Sequence, residues 1–121
     1  MMTSTRRLEL ETIGKVTVAS LRDERIVQDH VIQELGEELR LLVSERGRRN
    51  IVLNFGRVKA LSAAAMSVLL FLKQRVEATQ GQLRICCVHP ELKEVFQLHR
   101  PRKSPPLFQL FDEEQCALDS F

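Results

Sequence analysis

The stretch NIVLNFGRVKALSAAAMSVLLFLKQRVE, Asn50 to Glu77, changes its hydrophobic period once, and that change decides the fold. Ile51-Val52-Leu53-Asn54-Phe55 is a near-continuous apolar run, the pattern of a central strand buried on both faces. A short turn follows. From Ala63 to about Thr79 the apolar residues recur at the spacing of a helix. Ser62 stands immediately before that helix, where its hydroxyl can accept a hydrogen bond from the free amides of the first turn. The rest of the chain reads as support for this strand-to-helix junction, so the functional question is what the junction presents.

Upstream, Arg6 to Thr12 alternates apolar and polar residues, with Leu8 and Leu10 against Arg7, Glu9 and Glu11, as a half-buried strand does. Gly14-Lys15 marks a turn, and Val16, Val18 and Leu21 continue as the second strand of an N-terminal hairpin. Arg22 to Arg25 reads as a charged loop. Val31, Ile32, Leu35, Leu39, Leu42 and Val43 then recur at three and four residues. They predict an amphipathic helix from about Val27 to a glycine cap near Arg46-Gly47. Gly36 inside it costs about 1 kcal/mol relative to alanine, so packing must hold this helix.

Downstream, Gln80-Gly81 closes the second helix, and Leu83 to Val88 is another buried strand. His89-Pro90 breaks it, and Pro90 is placed to start a helix from Glu91 to His99 with Leu92, Val95, Phe96 and Leu98 as its apolar face. Arg100 to Pro106 is a basic, proline-rich loop that neither helix nor central strand accommodates. Leu107 to Phe111 fits an edge strand, and Asp112-Glu113-Glu114 opens a terminal helix with acids at its positive end. The order predicts an α/β fold in one domain over residues 1–121, with residues 1–5 flexible. Its mixed β-sheet has four to five strands, an N-terminal hairpin followed by parallel βα units, with about four helices mainly on one face.

Composition narrows the function classes. The 121 residues are 44% hydrophobic and 28% charged, which is ordinary for a globular domain. A net charge of +2 does not argue for nucleic-acid binding, and no apolar run approaches the length of a membrane span. The N-terminus carries no apolar signal core, and Cys86, Cys87 and Cys116 are odd in number, so reduced, buried thiols in a cytoplasmic protein are expected. Cys87 and His89 share a strand face but lack a second ligand pair, and no thiol has a recognisable base, so neither metal nor nucleophile is supported. His30 reads as a solvated surface residue. The glycines stand singly, with neither a phosphate loop nor a dinucleotide fingerprint. The Arg100 to Lys103 cluster reads more simply as a solvated loop than as an anion site. The expectation is no catalysis and no cofactor.

At Leu61 to Ser67 the chain resembles the STAS domain family, the fold of bacterial anti-sigma factor antagonists, and specifically its divergent planctomycete-type branch. The carriers are IVLNFGRVKALSAAAMSVLLFLKQRV, TQGQLRICCVHPELKEVFQLH and LFQLFDEEQCAL, with RDERIVQDHVIQELGEEL upstream. The resemblance implies a mixed sheet with helices on one side. It also implies a junction of apolar residue, Asp, Ser, Ser, Gly, Leu, in which the first serine is phosphorylated by a cognate kinase to switch off binding. Here Leu61 matches the apolar residue, Ser62 replaces the aspartate, Ala63 the phospho-acceptor, Ala64 the second serine, Ala65 the glycine and Met66 the leucine. Phosphorylation at that position is therefore not expected, and Ser62 and Ser67 are the remaining candidate acceptors.

At about 100° per residue Ala65, Val68, Leu69, Leu72 and Val76 form the expected core stripe of the helix. Ala63, Met66, Ser67, Leu70 and Phe71 are expected on the opposite side, where a monomer has no need of apolar residues. With Ser62 they are the candidate partner-binding residues, and Leu70→Glu is expected to abolish association without unfolding. The expected function is an anti-sigma factor antagonist-like interaction module whose partner is an anti-sigma factor or serine kinase-like ATPase, with homo-oligomerisation as an accompanying option. The alternatives are a constitutive scaffold and, from another class, a small-ligand or nucleotide sensor.

Overall fold

The computed structural model describes residues 2–44, 49–98 and 108–121. In chain order its elements are β1 (Met2–Ser4), β2 (Leu8–Ile13), β3 (Val16–Leu21), β4 (Arg25–Ile26), α1 (Asp29–Ser44), β5 (Asn50–Asn54), β6 (Ala60–Leu61), α2 (Ala63–Ala78), β7 (Gln82–Cys86), α3 (Pro90–Leu98), β8 (Gln109–Phe111) and α4 (Glu114–Asp119). The expected helix end at Arg46-Gly47, His99, the loop 100–106 and Leu107 lie outside the described residues.

β5 is central, as its unbroken apolar run requires. Ile51, Val52 and Leu53 are wholly buried, and β3 and β7 flank the strand in parallel. The main sheet runs β1-β2-β3-β5-β7-β8, antiparallel at β1-β2 and β2-β3 and parallel from β3 onward. The Gly14-Lys15 turn joins β2 and β3 with Ile13 opposite Val16. This is the expected mixed sheet, enlarged by β1. Residues Met2 to Ser4 were expected to be flexible, but their backbone pairs with Glu9 to Glu11. A second, two-stranded sheet joins β4 to β6, so the expected charged loop ends in a strand at Arg25.

Alternation along the strands sends side chains to two unequal cores. Leu8, Leu10, Ala19, Leu21, Ile51, Leu53, Leu83 and Ile85 belong to the main core with α1, α2 and α3. The six residues that predicted α1 are all buried there. Val16, Val18, Val52 and Cys86 point to the other face, where Ala117 and the partly buried Leu118 of α4 cover them. The helices therefore pack mainly on one face, with α4 as the exception. Phe55, Phe96 and Phe108 close one end of the main core by edge-to-face contacts at centroid distances of 5.8 and 5.6 Å.

Two further contacts fix helix positions. Arg7, immediately before β2, ties the start of that strand to α1, with Nε and Nη2 donating to Glu34 Oε2 at 2.8 and 2.6 Å and Nη1 donating to Asp23 at 2.8 Å. These bonds from Arg7 hold the Glu34 carboxyl below its ordinary pKa. At Gly36 α1 approaches α2 so closely that a Cβ there would lie 3.3 Å from Val68 Cγ1. The helix propensity lost at this glycine is the cost of the close crossing.

Candidate functional site

The start of α2 is built from backbone outward. Lys59 and Ala60 both donate their amides to Glu24 O, at 2.7 and 3.1 Å, and Ser62 N donates to Ile26 O at 3.1 Å. The β4-β6 ladder thus delivers the chain to the helix in a fixed direction. Ser62 takes the extended conformation of an N-cap (φ −83°, ψ 166°), and its Oγ accepts from Ala65 N at 3.2 Å. Its carbonyl already accepts the first helical bond, from Met66 N at 3.0 Å. The cap expected at Ser62 is present, so its hydroxyl oxygen is engaged in holding the helix start.

The turn before it is equally constrained. Phe55 and Val58 are wholly buried, and Val58 N donates to Phe55 O. Asn54 Oδ1 accepts from Gly56 N at 2.8 Å, and its Nδ2 donates to Glu114 Oε1 at 3.1 Å, linking the turn to α4. His89 Nε2 lies 3.0 Å from Gly56 O. The ring therefore braces the β5-α2 turn, and no thiol takes that hydrogen-bond position.

On the helix surface the candidate residues divide. Ala63, Ser67 and Phe71 are exposed, Phe71 by 68%, and Ser67 Oγ donates back to Ala63 O at 3.3 Å. Ser62 is half-buried. Leu70 is half-buried too and packs against the main core, so Leu70→Glu would strain the fold as well as the surface. Met66 corrects the expectation. It is 1% exposed and belongs to the core, while Val68, assigned to the core stripe, is only partly buried. The buried arc extends beyond the sheet-facing stripe on the flank away from α1, and Met66 lies on that flank. Val68 lies on the flank beside Gly36, where the two helices cross. Ser67, Leu70, Phe71 and Gln74 line a shallow depression of about 220 Å³ on the outer face.

One neighbour was missed from sequence. Val27 follows β4, is 38% exposed, and is brought next to the α2 start by the Ser62-Ile26 hydrogen bond. The only available signal was a second apolar residue after Ile26, between Arg25 and Gln28, which is too common to single out.

Cys86 is wholly buried, and burial first, then the adjacent Cys87, raises its pKa well above that of a free thiol. Cys87 is partly buried with φ at 62°, its amide donating to Phe111 O. Cys116, expected to be buried, is exposed on α4. Among the described residues no three His, Cys, Asp or Glu side chains converge on a point where a metal could bind, and no helix is long and apolar enough to cross a membrane.

Comparison with known proteins gives a family match, a curated relative and several structural likenesses. The model of the STAS domain matches residues 7–115. BtrV of Bordetella bronchiseptica, named as an anti-sigma factor antagonist, is 29% identical over 92 residues, covering 76% of this chain and 77% of BtrV. A STAS domain protein of Planctomyces limnophilus superposes with a TM-score of 0.80 at 17% identity, over 97% of this chain and 98% of that one. The phosphorylated form of the Bacillus cell-fate determinant SpoIIAA superposes with a TM-score of 0.70 at 18% identity, over 93% of this chain and 97% of that one.

Proposed function

The chain belongs to the STAS domain family, and from that premise we propose that it is a non-catalytic regulatory module of the anti-sigma factor antagonist type. It acts in the cytoplasm by binding a protein partner, an anti-sigma factor or serine kinase-like ATPase. The observation that carries this reading is the helix start, where a capped, rigid turn presents exposed Ala63, Ser67 and Phe71 in one outward strip. Half-buried Ser62 and Leu70 edge the strip, and Val27 extends it beyond the cap. A monomer gains nothing by solvating a phenylalanine there, whereas a rigid aromatic at the centre of a contact is a common anchor.

The same position argues for constitutive binding. Ala63 has no hydroxyl, so a phosphate cannot be added where the family resemblance expects one. Ser62 remains chemically phosphorylatable, but its oxygen is the N-cap acceptor. This favours a partner-bound or self-associating module that is not released by phosphorylation. Nucleotide sensing draws no support from a dedicated phosphate-binding loop.

Titration calorimetry against a candidate anti-sigma kinase from the same genome tests the proposal. Ala63→Glu and Phe71→Glu each weaken binding by about ten-fold or more, while Lys15→Glu, in the distant hairpin turn, leaves it unchanged. Unaltered affinity in both α2 variants would sink the proposed surface. Ala63→Glu is a clean probe because an acid in the first helical turn favours the helix.

A further inference from the structure

Phe71 has depressions on both sides. Away from Ser67 and Leu70 lies a second groove, between α1 and α2, of about 280 Å³. Leu39, Val68 and Leu72 line it, Gly36 opens it by removing a side chain from the α1 wall, and Phe71 stands at its rim. Its charged lining residues are two arginines, Arg40 from α1 and Arg75 from α2. Arg75 forms no ion pair among the described residues, and Arg40 has only a 3.8 Å contact to Glu37 between exposed side chains.

We infer that this groove is a second docking site, for an acidic amphipathic segment of a protein partner. The floor takes one or two bulky apolar side chains at helical spacing, and the arginines pair with carboxylates flanking those anchors. Charge complementarity selects the occupant: a basic segment would meet two guanidinium groups on the rim, and a neutral one would leave both unanswered. The site is independent of the α2 start, sharing with it only the Phe71 wall.

Selection of a displayed peptide library on the intact chain tests this, with counter-selection on the R40E/R75E double variant. The expected winners carry apolar residues at three- and four-residue spacing flanked by Asp or Glu. Their affinity falls about ten-fold in R40E/R75E and falls with added salt, and it is kept in Ala63→Glu. Amide shifts on binding map to Gly36, Leu39, Val68 and Leu72. Basic or neutral winners, shifts elsewhere, or failure to enrich any peptide dependent on Arg40 and Arg75 overturns the inference. So does sedimentation showing that the groove is occupied by a second copy of the chain. Loss of kinase binding in Ala63→Glu with peptide binding intact separates this site from the α2 start.

Discussion

Phe71 and Leu72 are consecutive on α2 and opposite in environment, which makes them a matched pair for separating surface from core. Leu72 is 3% exposed within the main core, and Phe71 is 68% exposed. Removing the Leu72 side chain loses its transfer free energy and leaves a cavity, so Leu72→Ala costs about 2–5 kcal/mol. For a domain of this size each kcal/mol lowers Tm by about 4 °C, so the midpoint falls by roughly 8–20 °C. Phe71→Ala removes a ring already mostly in water and shifts stability by no more than about 0.5 kcal/mol. Its effect is on association, where loss of a central aromatic costs about ten-fold or more in affinity. Thermal unfolding followed by circular dichroism, with calorimetry against the candidate partner, gives both quantities on the same samples. A Phe71→Ala variant destabilised like Leu72→Ala, or one that binds as well as the parent, would refute the assignment of this helix face.

Three more outcomes follow from the geometry. Ser62→Ala removes the bond to Ala65 N and costs about 1 kcal/mol, while Ser62→Asp restores it; urea midpoints that fail to rank in that order contradict the cap. Glu34 is depressed in the folded state by its bonds from Arg7, so its stabilisation is complete above the ordinary glutamate pKa of about 4.3 and is lost as pH falls through the lower folded value. Glu34→Gln therefore flattens the acid limb of stability against pH, and an acid limb unchanged by the substitution would remove that role. In thiol labelling read by mass, Cys116 reacts first and Cys86 only on unfolding, because Cys86 is buried with a raised pKa; early modification of Cys86 would contradict its burial.

Much of this architecture was legible because long periodic segments carry their own evidence. The α1 face, the two-sided burial of β5 and the Ser62 cap each rest on several residues or on a specific stereochemical demand. What escaped was set by tertiary contact. Met66 and Val68 exchange environments because neighbouring elements, not the sheet alone, decide which flank of α2 is covered. β4 and β6 are two residues each, too short to establish a period, yet they aim the helix and bring Val27 beside its start. α4 lies on the opposite face because Val16, Val18, Val52 and Cys86 need a cover, a requirement visible only once the strands are aligned. The groove at Gly36 was visible only as an unfavourable residue in a helix. Its reason is the crossing with Val68.

The capped start of α2 is proposed to bind a partner without a phosphorylation switch. Incubating the chain and its candidate kinase with ATP, then following intact mass and complex formation together, tests it most directly. No added phosphate and a complex that persists in ATP are the expected result. A phosphate on Ser62 or Ser67, with the complex dissolving as it appears, would contradict it.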